Sequence, residues 1–267
     1  MNLPITVAIL TSFVFGILAI YVSLKKDKAK VSQDNLIKLK ENFTHVIVHE
    51  LRAPLTAIKD AAEVMVSGDY ELDKEEEKQF LEIIHKQAKL LLAQISSILD
   101  SAKLEDGKFI ITKASGDIAA VISQQVEMFQ MSARKKNISI NLNIPSSLPQ
   151  ISFDQTRIGQ AINNLLSNSL KFTPGNGKIE VSAKYTPSDK YVTVAVSDTG
   201  IGIPKDFQTN LFAKFSQART TPKELAKAGT GLGLYFVKGV IDAHGGTVSV
   251  ESEEGKGTTI SFTLPIQ

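Results

Sequence analysis

The first 24 residues carry no charged side chain, and apolar residues dominate the 22 positions from Leu3 to Leu24. A helix of this length would be about 33 Å long, enough to cross a bilayer core of roughly 30 Å. Residues 1–6 lack the basic side chain of a secretory signal peptide, so an uncleaved anchor is favoured over a cleaved leader. Lysines at positions 25, 26, 28 and 30 follow, which predicts that the remainder lies in the cytoplasm.

We therefore expect a single-pass protein of the cell inner (cytoplasmic) membrane, anchored through residues 3–24, with its catalytic part in the cytoplasm. No second apolar stretch of this length follows in the sequence. We accordingly expect no sensor domain outside the membrane.

Between Val31 and Lys103, apolar residues recur at steps of three and four, the spacing of one helix face. The stripe is interrupted once, at residues 67–70, so the pattern predicts two long amphipathic helices joined by a short turn. One such hairpin cannot cover its own apolar stripe, whereas two hairpins can do so in a four-helix bundle. We predict an all-α helical hairpin and a homodimer formed through it.

After Gly107, short runs rich in β-branched residues alternate with helical patterns. Strands are predicted at residues 109–112, 138–144, 179–185, 192–197, 247–251 and 258–263, and helices at residues 117–134, 154–170 and 232–244. This order predicts an α+β sandwich and lacks the regular βαβ alternation of a Rossmann domain.

The amino-acid composition excludes several classes of protein and of chemistry. Among 267 residues, 43% are hydrophobic and 22% are charged, which excludes collagen-like and low-complexity chains. Thirty Lys and Arg against 28 Asp and Glu give a net charge of +2, so we expect no nucleic acid partner. The absence of cysteine excludes disulfides, thiolate zinc sites and a cysteine nucleophile.

Two glycine clusters lie where a phosphate could bind. Asp198–Pro204 (DTGIGIP) follows a predicted strand, and Gly229–Leu234 (GTGLGL) opens a predicted helix. Glycines at a helix start let backbone N–H groups approach a phosphate, although either cluster alone is equally compatible with a turn. No G-x-x-x-x-G-K-[ST] sequence occurs, so a P-loop is excluded.

A polar row marks the helix predicted at residues 154–170 and its end. Asn164, Asn168 and Lys171 are spaced i, i+4 and i+7 and share one helix face. Two amides and a cation suit a hydrated Mg²⁺ with phosphates, since Mg²⁺ takes oxygen ligands and keeps waters. An ordinary polar surface stripe is the alternative.

Six motifs, in order along the chain, resemble those of sensor histidine kinases of two-component systems. They are FTHVIVHELRAPL from Phe43 (H box), NNLLSNSLKFTP from Asn163 (N box), DTGIGIP, LFAKFSQ from Leu211 (F box), GTGLGL and GKGT from Gly255. The resemblance covers about residues 31–267. It implies a HisKA-type hairpin followed by an ATP-binding domain of the GHKL (Bergerat) fold.

The apolar N-terminal stretch and the resemblance together divide the chain into four parts. They are a transmembrane anchor at residues 1–24, a juxtamembrane helical linker at 25–42, a dimerisation and histidine phosphotransfer domain at 43–106, and an ATP-binding catalytic domain at 107–267. The resemblance implies that His49 takes the phosphoryl group of ATP and that Glu50 accepts the second ring N–H of His49, stabilising the charge that develops. The phosphoryl group would then pass to an aspartate on the receiver domain of a separate response regulator.

In the ATP-binding domain, the resemblance implies that Asp198 receives the adenine amino group and that Phe172 lies against the base. Asn168 would ligate Mg²⁺, while Asn164 and Lys171 would serve the metal and phosphates. The remaining nucleotide-binding residues implied by the motifs are Gly200, Gly202, Ile203, Gly229, Gly231, Leu232, Gly233 and Thr258. Hydrolytic relatives carry Glu where this chain has Asn164, and an amide is no general base, so phosphoryl transfer is favoured over hydrolysis.

One departure from the family pattern and two alternative interpretations remain. Many relatives have Thr or Asn where this chain has Ala53, which predicts weak phosphatase activity toward the partner. His45 and His49 have helical metal-ligand spacing, but the order H-x-x-x-H-E differs from zinc proteases and a third ligand is lacking. The alternative function is a membrane-tethered pseudokinase that binds nucleotide and a partner without transferring phosphate, which only a phosphate-acceptor test separates from a kinase.

Overall fold

The structure is a computed structural model that describes residues 47–48, 51–67, 72–186, 188, 190–216 and 231–266. The predicted anchor at 1–24, the linker at 25–42, and the side chains of His49 and Glu50 lie outside the described residues. Among the described helices, none is long and apolar enough to cross a membrane. The described residues from Leu51 onward belong to one compact unit, Glu50–Gln267.

Two helices open this unit, as the interrupted apolar stripe predicts. Helix α1 covers residues 51–67, and α2 runs from Lys74 to Glu105. Asp73 caps α2, because its Oδ1 accepts the N–H groups of Glu75 and Glu76, each at 2.8 Å. The Glu76 carboxylate accepts the Asp73 N–H in return at 3.0 Å, which completes a capping box and fixes the start of the helix.

Helix α2 leaves a row of large apolar side chains uncovered in the single chain. The members of this row, which share one side of the helix and are each 40–66% exposed, are Leu81, Leu92, Ile95 and Leu99. Exposed apolar area of this extent favours association, since covering it removes apolar surface from water. The homodimer itself stays a prediction.

The second part of the unit is an α+β sandwich, as predicted. Its strands are β1 (Ala114–Gly116), β2 (Ser139–Asn143), β3 (Ile151–Phe153), β4 (Lys178–Lys184), β5 (Tyr191–Asp198), β6 (Val248–Glu253) and β7 (Gly257–Pro265). Its helices are α3 (Ile118–Lys135), α4 (Gln155–Phe172), α5 (Lys205–Gln208) and α6 (Gly233–His244). The main sheet has the order β2-β4-β5-β7-β6, with β2 parallel to β4 and the other pairs antiparallel, and β1 pairs with β3 separately.

The core lies between this sheet and helices α3, α4 and α6. Alternate residues of β5, namely Val192, Val194 and Val196, are buried, as expected for a strand with one covered face. Helix α4 turns Ile162 and Leu165 toward them in the same buried cluster. Because β5 is paired on both sides, its last residue is held in a fixed place at the sheet's end.

The predicted strand at residues 109–112 is wrong. This segment forms no ladder, and its aromatic residue instead packs on a helix: the ring of Phe109 meets that of Phe236 edge to face at 6.0 Å. Apolar content alone does not separate a strand from a connecting segment that covers a core. Conversely, β1, β3 and α5 were not predicted, because three or four residues are too few to show a period.

Candidate functional site

Asp198 is the central acidic group of the candidate site. It ends β5, where its register partners are Ile179 on β4 and Thr258 on β7. Its carboxylate Oδ1 accepts the N–H of Gly200 at 2.9 Å, and Oδ2 accepts the hydroxyl of Ser169 at 3.0 Å. The carboxylate therefore joins the end of β5 to helix α4.

Burial raises the pKa of Asp198 above the usual range of an aspartate, and hydrogen bonds from Gly200, Ser169 and Thr258 lower it in partial compensation. A carboxylate that is desolvated and also hydrogen-bonded is a strong, directional acceptor. Such a group suits a ligand that presents an N–H donor.

The loop after β5 lies against the end of α4. The N–H of Ile201 donates to the carbonyl oxygen of Phe172 at 3.3 Å. A Cβ on Gly200 would stand only 2.7 Å from that same oxygen, so any side chain there would push the loop away from the helix. The DTGIGIP motif thus places its first glycine where only glycine fits.

Ser252 connects this loop to Thr258. Its hydroxyl accepts the N–H of Ile203 at 2.8 Å and lies 2.8 Å from the Thr258 hydroxyl. It also donates to the carbonyl of Gly257 at 2.8 Å. Ile203 and Thr258, two residues implied by the motifs, are therefore held together by a serine that the sequence analysis did not single out.

The polar row of α4 faces the start of α6. Asn164, Asn168 and Lys171 are all half-buried. A Cβ on Gly233 would lie 3.3 Å from Oδ1 of Asn164, so the missing side chain leaves room beside this amide. The Lys171 ammonium stands 4.6 Å from the ring centroid of Phe172, at the end of the helix nearest Asp198.

The F box and the second glycine box meet at the start of α6. The N–H of Phe215 donates to the carbonyl of Gly231 at 3.1 Å. Both residues have left-handed backbone conformations, with φ of +65° and +69°, and a Cβ on Gly231 would stand 2.8 Å from the Phe215 carbonyl carbon. Leu232, which is fully buried, directly precedes α6, and Gly229 lies outside the described residues.

We call Asp198, the polar row of α4 and the glycines at the start of α6 the cradle. Among the described residues, no group of three or more His, Asp or Glu side chains could hold a metal. The available oxygen donors on this side of α4 are instead the amides of Asn168 and Asn164, and Asn164 lies beside the space that Gly233 leaves. Mg²⁺ takes few ligands from the protein and completes its coordination with phosphate oxygens and waters. The residues present therefore fit this ion.

The α+β part is tied to the hairpin close to this site. Nη1 of Arg157, on α4, lies 2.6 Å from Oδ2 of Asp100, on α2. Lys214 in the F box forms an ion pair with Glu105, the last residue of α2. The end of the hairpin is therefore bonded to the helix and to the loop that border the candidate site.

Most of the predicted site residues converge on this region. The exceptions are His49, Glu50 and Gly229, which lie outside the described residues, so their placement stays a prediction. Sequence reasoning missed Ser169 and Ser252. A signal existed for Ser169, because it is a polar residue within the apolar face of α4.

Two family models match the chain. The His Kinase A (phospho-acceptor) domain matches residues 39–107, and the Histidine kinase-, DNA gyrase B-, and HSP90-like ATPase family matches residues 153–267. Together they account for more than half of the chain, in the order found along the sequence. The chain belongs to the sensor histidine kinases of two-component systems.

Relatives and solved structures agree with this family. The chain is 35% identical over 246 residues to the Non-motile and phage-resistance protein of Caulobacter vibrioides, covering 91% of this chain and 29% of that one. It is 34% identical over 245 residues to the Adaptive-response sensory kinase SasA of Synechococcus sp. (strain JA-3-3Ab), covering 91% and 63%. The chain thus spans between about a third and two thirds of the length of these relatives.

Two solved structures carry a similar arrangement over both domains. Full-length ShkA in complex with AMPPNP has a TM-score of 0.62 and 28% identity, covering 84% of this chain and 45% of that one. Histidine kinase ThkA in complex with the response regulator TrrA has a TM-score of 0.58 and 26% identity, covering 84% and 61%. The hairpin and the α+β domain therefore have counterparts in solved kinases.

Proposed function

We propose that the chain is a membrane-bound kinase that transfers the γ-phosphoryl group of Mg-ATP to His49 and then to an aspartate of a separate response regulator. The observation that carries this proposal is the convergence of three features on one cradle: the Asp198 carboxylate, the polar row of α4 and the glycines at the start of α6. The cradle belongs to the same compact unit as the two hairpin helices.

The cradle offers suitable groups for both ends of ATP, the adenine base and the phosphates. The adenine amino group would donate to Asp198, and the Phe172 ring would lie against the base. Asn168 and Asn164 would hold Mg²⁺, and Lys171 adds a positive charge on the phosphate side. Bound Mg²⁺ would supply charge neutralisation and alignment of the phosphates, which phosphoryl transfer chiefly needs.

Transfer to a side chain is favoured over hydrolysis by the residues around the phosphates. Asn164, beside Gly233, is an amide and cannot remove a proton from water. A neutral imidazole is a competent nucleophile near neutral pH, and His49 would attack through one ring nitrogen while the other N–H is held by Glu50. The carboxylate of Glu50 would stabilise the imidazolium that forms.

Partners follow from the same organisation. The exposed apolar row of α2 supports a homodimer through the hairpin. The ThkA structure, which holds that kinase in complex with the response regulator TrrA, supports a receiver domain as the second partner. The uncharged stretch at residues 3–24 and the lysines after it support a place in the cytoplasmic membrane with the catalytic part in the cytoplasm.

The test is a phosphorylation assay on the full chain reconstituted in lipid vesicles, with Mg²⁺ and γ-labelled ATP. Wild type, His49→Ala and His85→Ala are compared, the last being an exposed histidine on α2 that serves as the matched control. We expect acid-labile, alkali-stable label on wild type and on His85→Ala, and none on His49→Ala. Label should move to a receiver domain added afterwards.

Other outcomes contradict the proposal. Nucleotide binding without any label would identify a pseudokinase or scaffold. Label that persists in His49→Ala would place the phosphoacceptor elsewhere. Recovery of the chain in the soluble fraction of lysed cells would reject the membrane anchor.

A further inference from the structure

Ser169 is a polar residue on the buried side of α4. Only 5% of it is exposed, and Leu165, Leu166 and Leu170 are buried beside it on the same helix. A buried hydroxyl costs free energy unless it is hydrogen-bonded. Ser169 meets this need by donating to Oδ2 of Asp198 at 3.0 Å, across the gap from α4 to the end of β5.

The other hydrogen bonds to Asp198 come from the backbone. The N–H of Gly200 donates to Oδ1 at 2.9 Å, and the N–H of Thr258 also contributes. Ser169 thus supplies a side-chain donor, which a single substitution can remove while the backbone donors remain. Its distance to the carboxylate is that of an ordinary hydrogen bond, so it fixes the direction in which Oδ2 points.

The ionisation state of this carboxylate decides what it can bind. An ionised carboxylate only accepts hydrogen bonds, whereas a protonated acid also donates one. Adenine presents an amino donor at position 6 of the purine, and guanine presents an oxygen acceptor there. An ionised Asp198 therefore favours adenine, and a protonated Asp198 would favour a 6-oxo purine.

We propose that Ser169 is a positioning residue that holds the Asp198 carboxylate as an oriented acceptor and thereby selects adenine over 6-oxo purines. This inference rests on the proposed nucleotide-binding function. Burial raises the pKa of Asp198, and hydrogen bonds from Gly200, Ser169 and Thr258 lower it. Removal of the Ser169 hydroxyl leaves the effect of burial less opposed, so the pKa rises further.

Charged groups on the surrounding elements have other partners or positions. The Lys171 ammonium of α4 lies over a neighbouring aromatic ring at 4.6 Å, and Glu253 of β6 pairs with Lys256 at 2.6 Å. Lys178 of β4 is exposed, and β7 carries no charged residue. Burial and hydrogen bonds, rather than a neighbouring charge, dominate at Asp198.

The test measures binding of AMPPNP and of its guanine counterpart GMPPNP to the full chain in detergent, between about pH 5 and pH 8. In Ser169→Ala we expect AMPPNP affinity to fall on the order of tenfold at the acidic end, with the decline starting at higher pH than in wild type. The preference for AMPPNP over GMPPNP should shrink. Ser169→Thr, which restores a hydroxyl, should recover the wild-type profile.

Ser167→Ala is the matched control, because Ser167 lies on the same helix but is exposed. It should keep the wild-type pH profile and purine preference. An unchanged profile and preference in Ser169→Ala would overturn the proposal, and so would equal losses in the two alanine variants.

A second measurement needs no nucleotide. Carboxyl ¹³C titration of Asp198 should move to higher pH in Ser169→Ala, and an unchanged midpoint overturns the inference. If wild type binds no AMPPNP, the proposed function fails, whereas the carboxyl titration still decides whether Ser169 controls Asp198.

Discussion

Neither the backbone conformation of Gly202 nor its surroundings allow a side chain at this position. Its φ is +70°, and a Cβ there would overlap the carbonyl oxygen of Glu253. The left-handed conformation alone costs an L residue about 1–2 kcal/mol. The second glycine of the DTGIGIP motif is thus set by close approach of two backbones, whatever binds beside it.

We expect Gly202→Ala to lower the free energy of unfolding by about 2 kcal/mol or more and to weaken ATP binding, because the loop must move away from β6. Urea denaturation and calorimetric titration with ATP measure the two effects. Gly175→Ala is the control, since its added Cβ would meet only the Lys136 carbonyl oxygen, at 3.4 Å. Equal effects of the two substitutions would contradict this explanation.

His244 is a buried histidine outside the candidate site. Its Nε2 accepts the N–H of Asp154 at 3.0 Å, and its Nδ1 lies 2.7 Å from the Val240 carbonyl oxygen, so the neutral ring with hydrogen on Nδ1 satisfies both. Burial lowers the pKa of His244, and the nearby charge of Lys113 adds to this effect. The unfolded chain therefore takes up this proton at a higher pH than the folded protein does.

We expect the stability contributed by neutral His244 to be complete above about pH 6.5 and to be lost as the pH falls below it toward the folded pKa. Urea unfolding at about pH 8 and at lower pH should show a smaller pH dependence in His244→Gln than in wild type. His85→Gln, at an exposed histidine, should behave as wild type. The same pH dependence in His244→Gln and wild type would refute the assignment.

At the scale of elements, the ion pair between Asp100 and Arg157 joins the hairpin to the α+β domain. The two side chains are 12% and 23% exposed, and the atoms are 2.6 Å apart. Arg157 also lies 4.9 Å from the ring centroid of Phe109, and Leu104 of α2 packs where a side chain on Gly239 would otherwise stand. Polar and apolar contacts thus hold the end of α2 on the second domain.

A double-mutant cycle with Asp100→Ala and Arg157→Ala should give a coupling energy of about 1 kcal/mol or more in urea unfolding, because the pair is largely shielded from water. The control is the pair between Lys59 and Glu63 on α1, whose side chains are 71% and 65% exposed. Its coupling should be much smaller. A coupling no larger than that of the control would show that the packing, not the charges, joins the elements.

Long helices and strands with a regular apolar pattern were predictable from the sequence, whereas very short elements were not. Helix α4 was predicted at residues 154–170 and is found at Gln155–Phe172, since Asp154 caps it and its apolar face is regular. Strands β4, β5 and β7 follow the expected alternation. The pair β1 and β3 depends on contact between segments about 40 residues apart, which no local pattern contains.

The residues of the site show the same difference between local patterns, which the sequence reveals, and long-range contacts, which it does not. Asn164, Asn168, Lys171 and Asp198 were predicted, because their motifs are local in sequence. The sequence marks Ser169 as a polar residue in an apolar face, but its contact with Asp198 appears only when α4 is placed against the end of β5, since the two residues are 29 positions apart. The domain boundary proposed between residues 106 and 107 stays a prediction.

At the scale of the whole molecule, the apolar row of α2 makes the single chain incomplete. Leu92→Asp should convert a dimer to a monomer, because a charge at a buried interface loses its hydration. Ultracentrifugation of the detergent-solubilised chain measures this. Ile110→Asp is the control, at an apolar side chain that is 81% exposed and outside the hairpin. A monomeric wild type, or a dimer that survives Leu92→Asp, would contradict dimerisation through this row.

Ala53 is exposed on α1, four positions after the predicted phosphoacceptor. We expect Ala53→Thr to gain phosphatase activity toward a phosphorylated receiver domain, because a hydroxyl there can orient a water. Loss of label from the receiver over time measures it. Ala57→Thr moves the hydroxyl one helix turn further and should give no gain. Fast dephosphorylation by wild type would make the prediction wrong.

The hydrogen bond from Phe215 to Gly231 joins two points that are 16 positions apart in the chain. A donor and an acceptor this far apart in the sequence come together only in the folded chain. Exchange of the Phe215 amide hydrogen with solvent deuterium would therefore report on local opening of the protein at the border of the cradle.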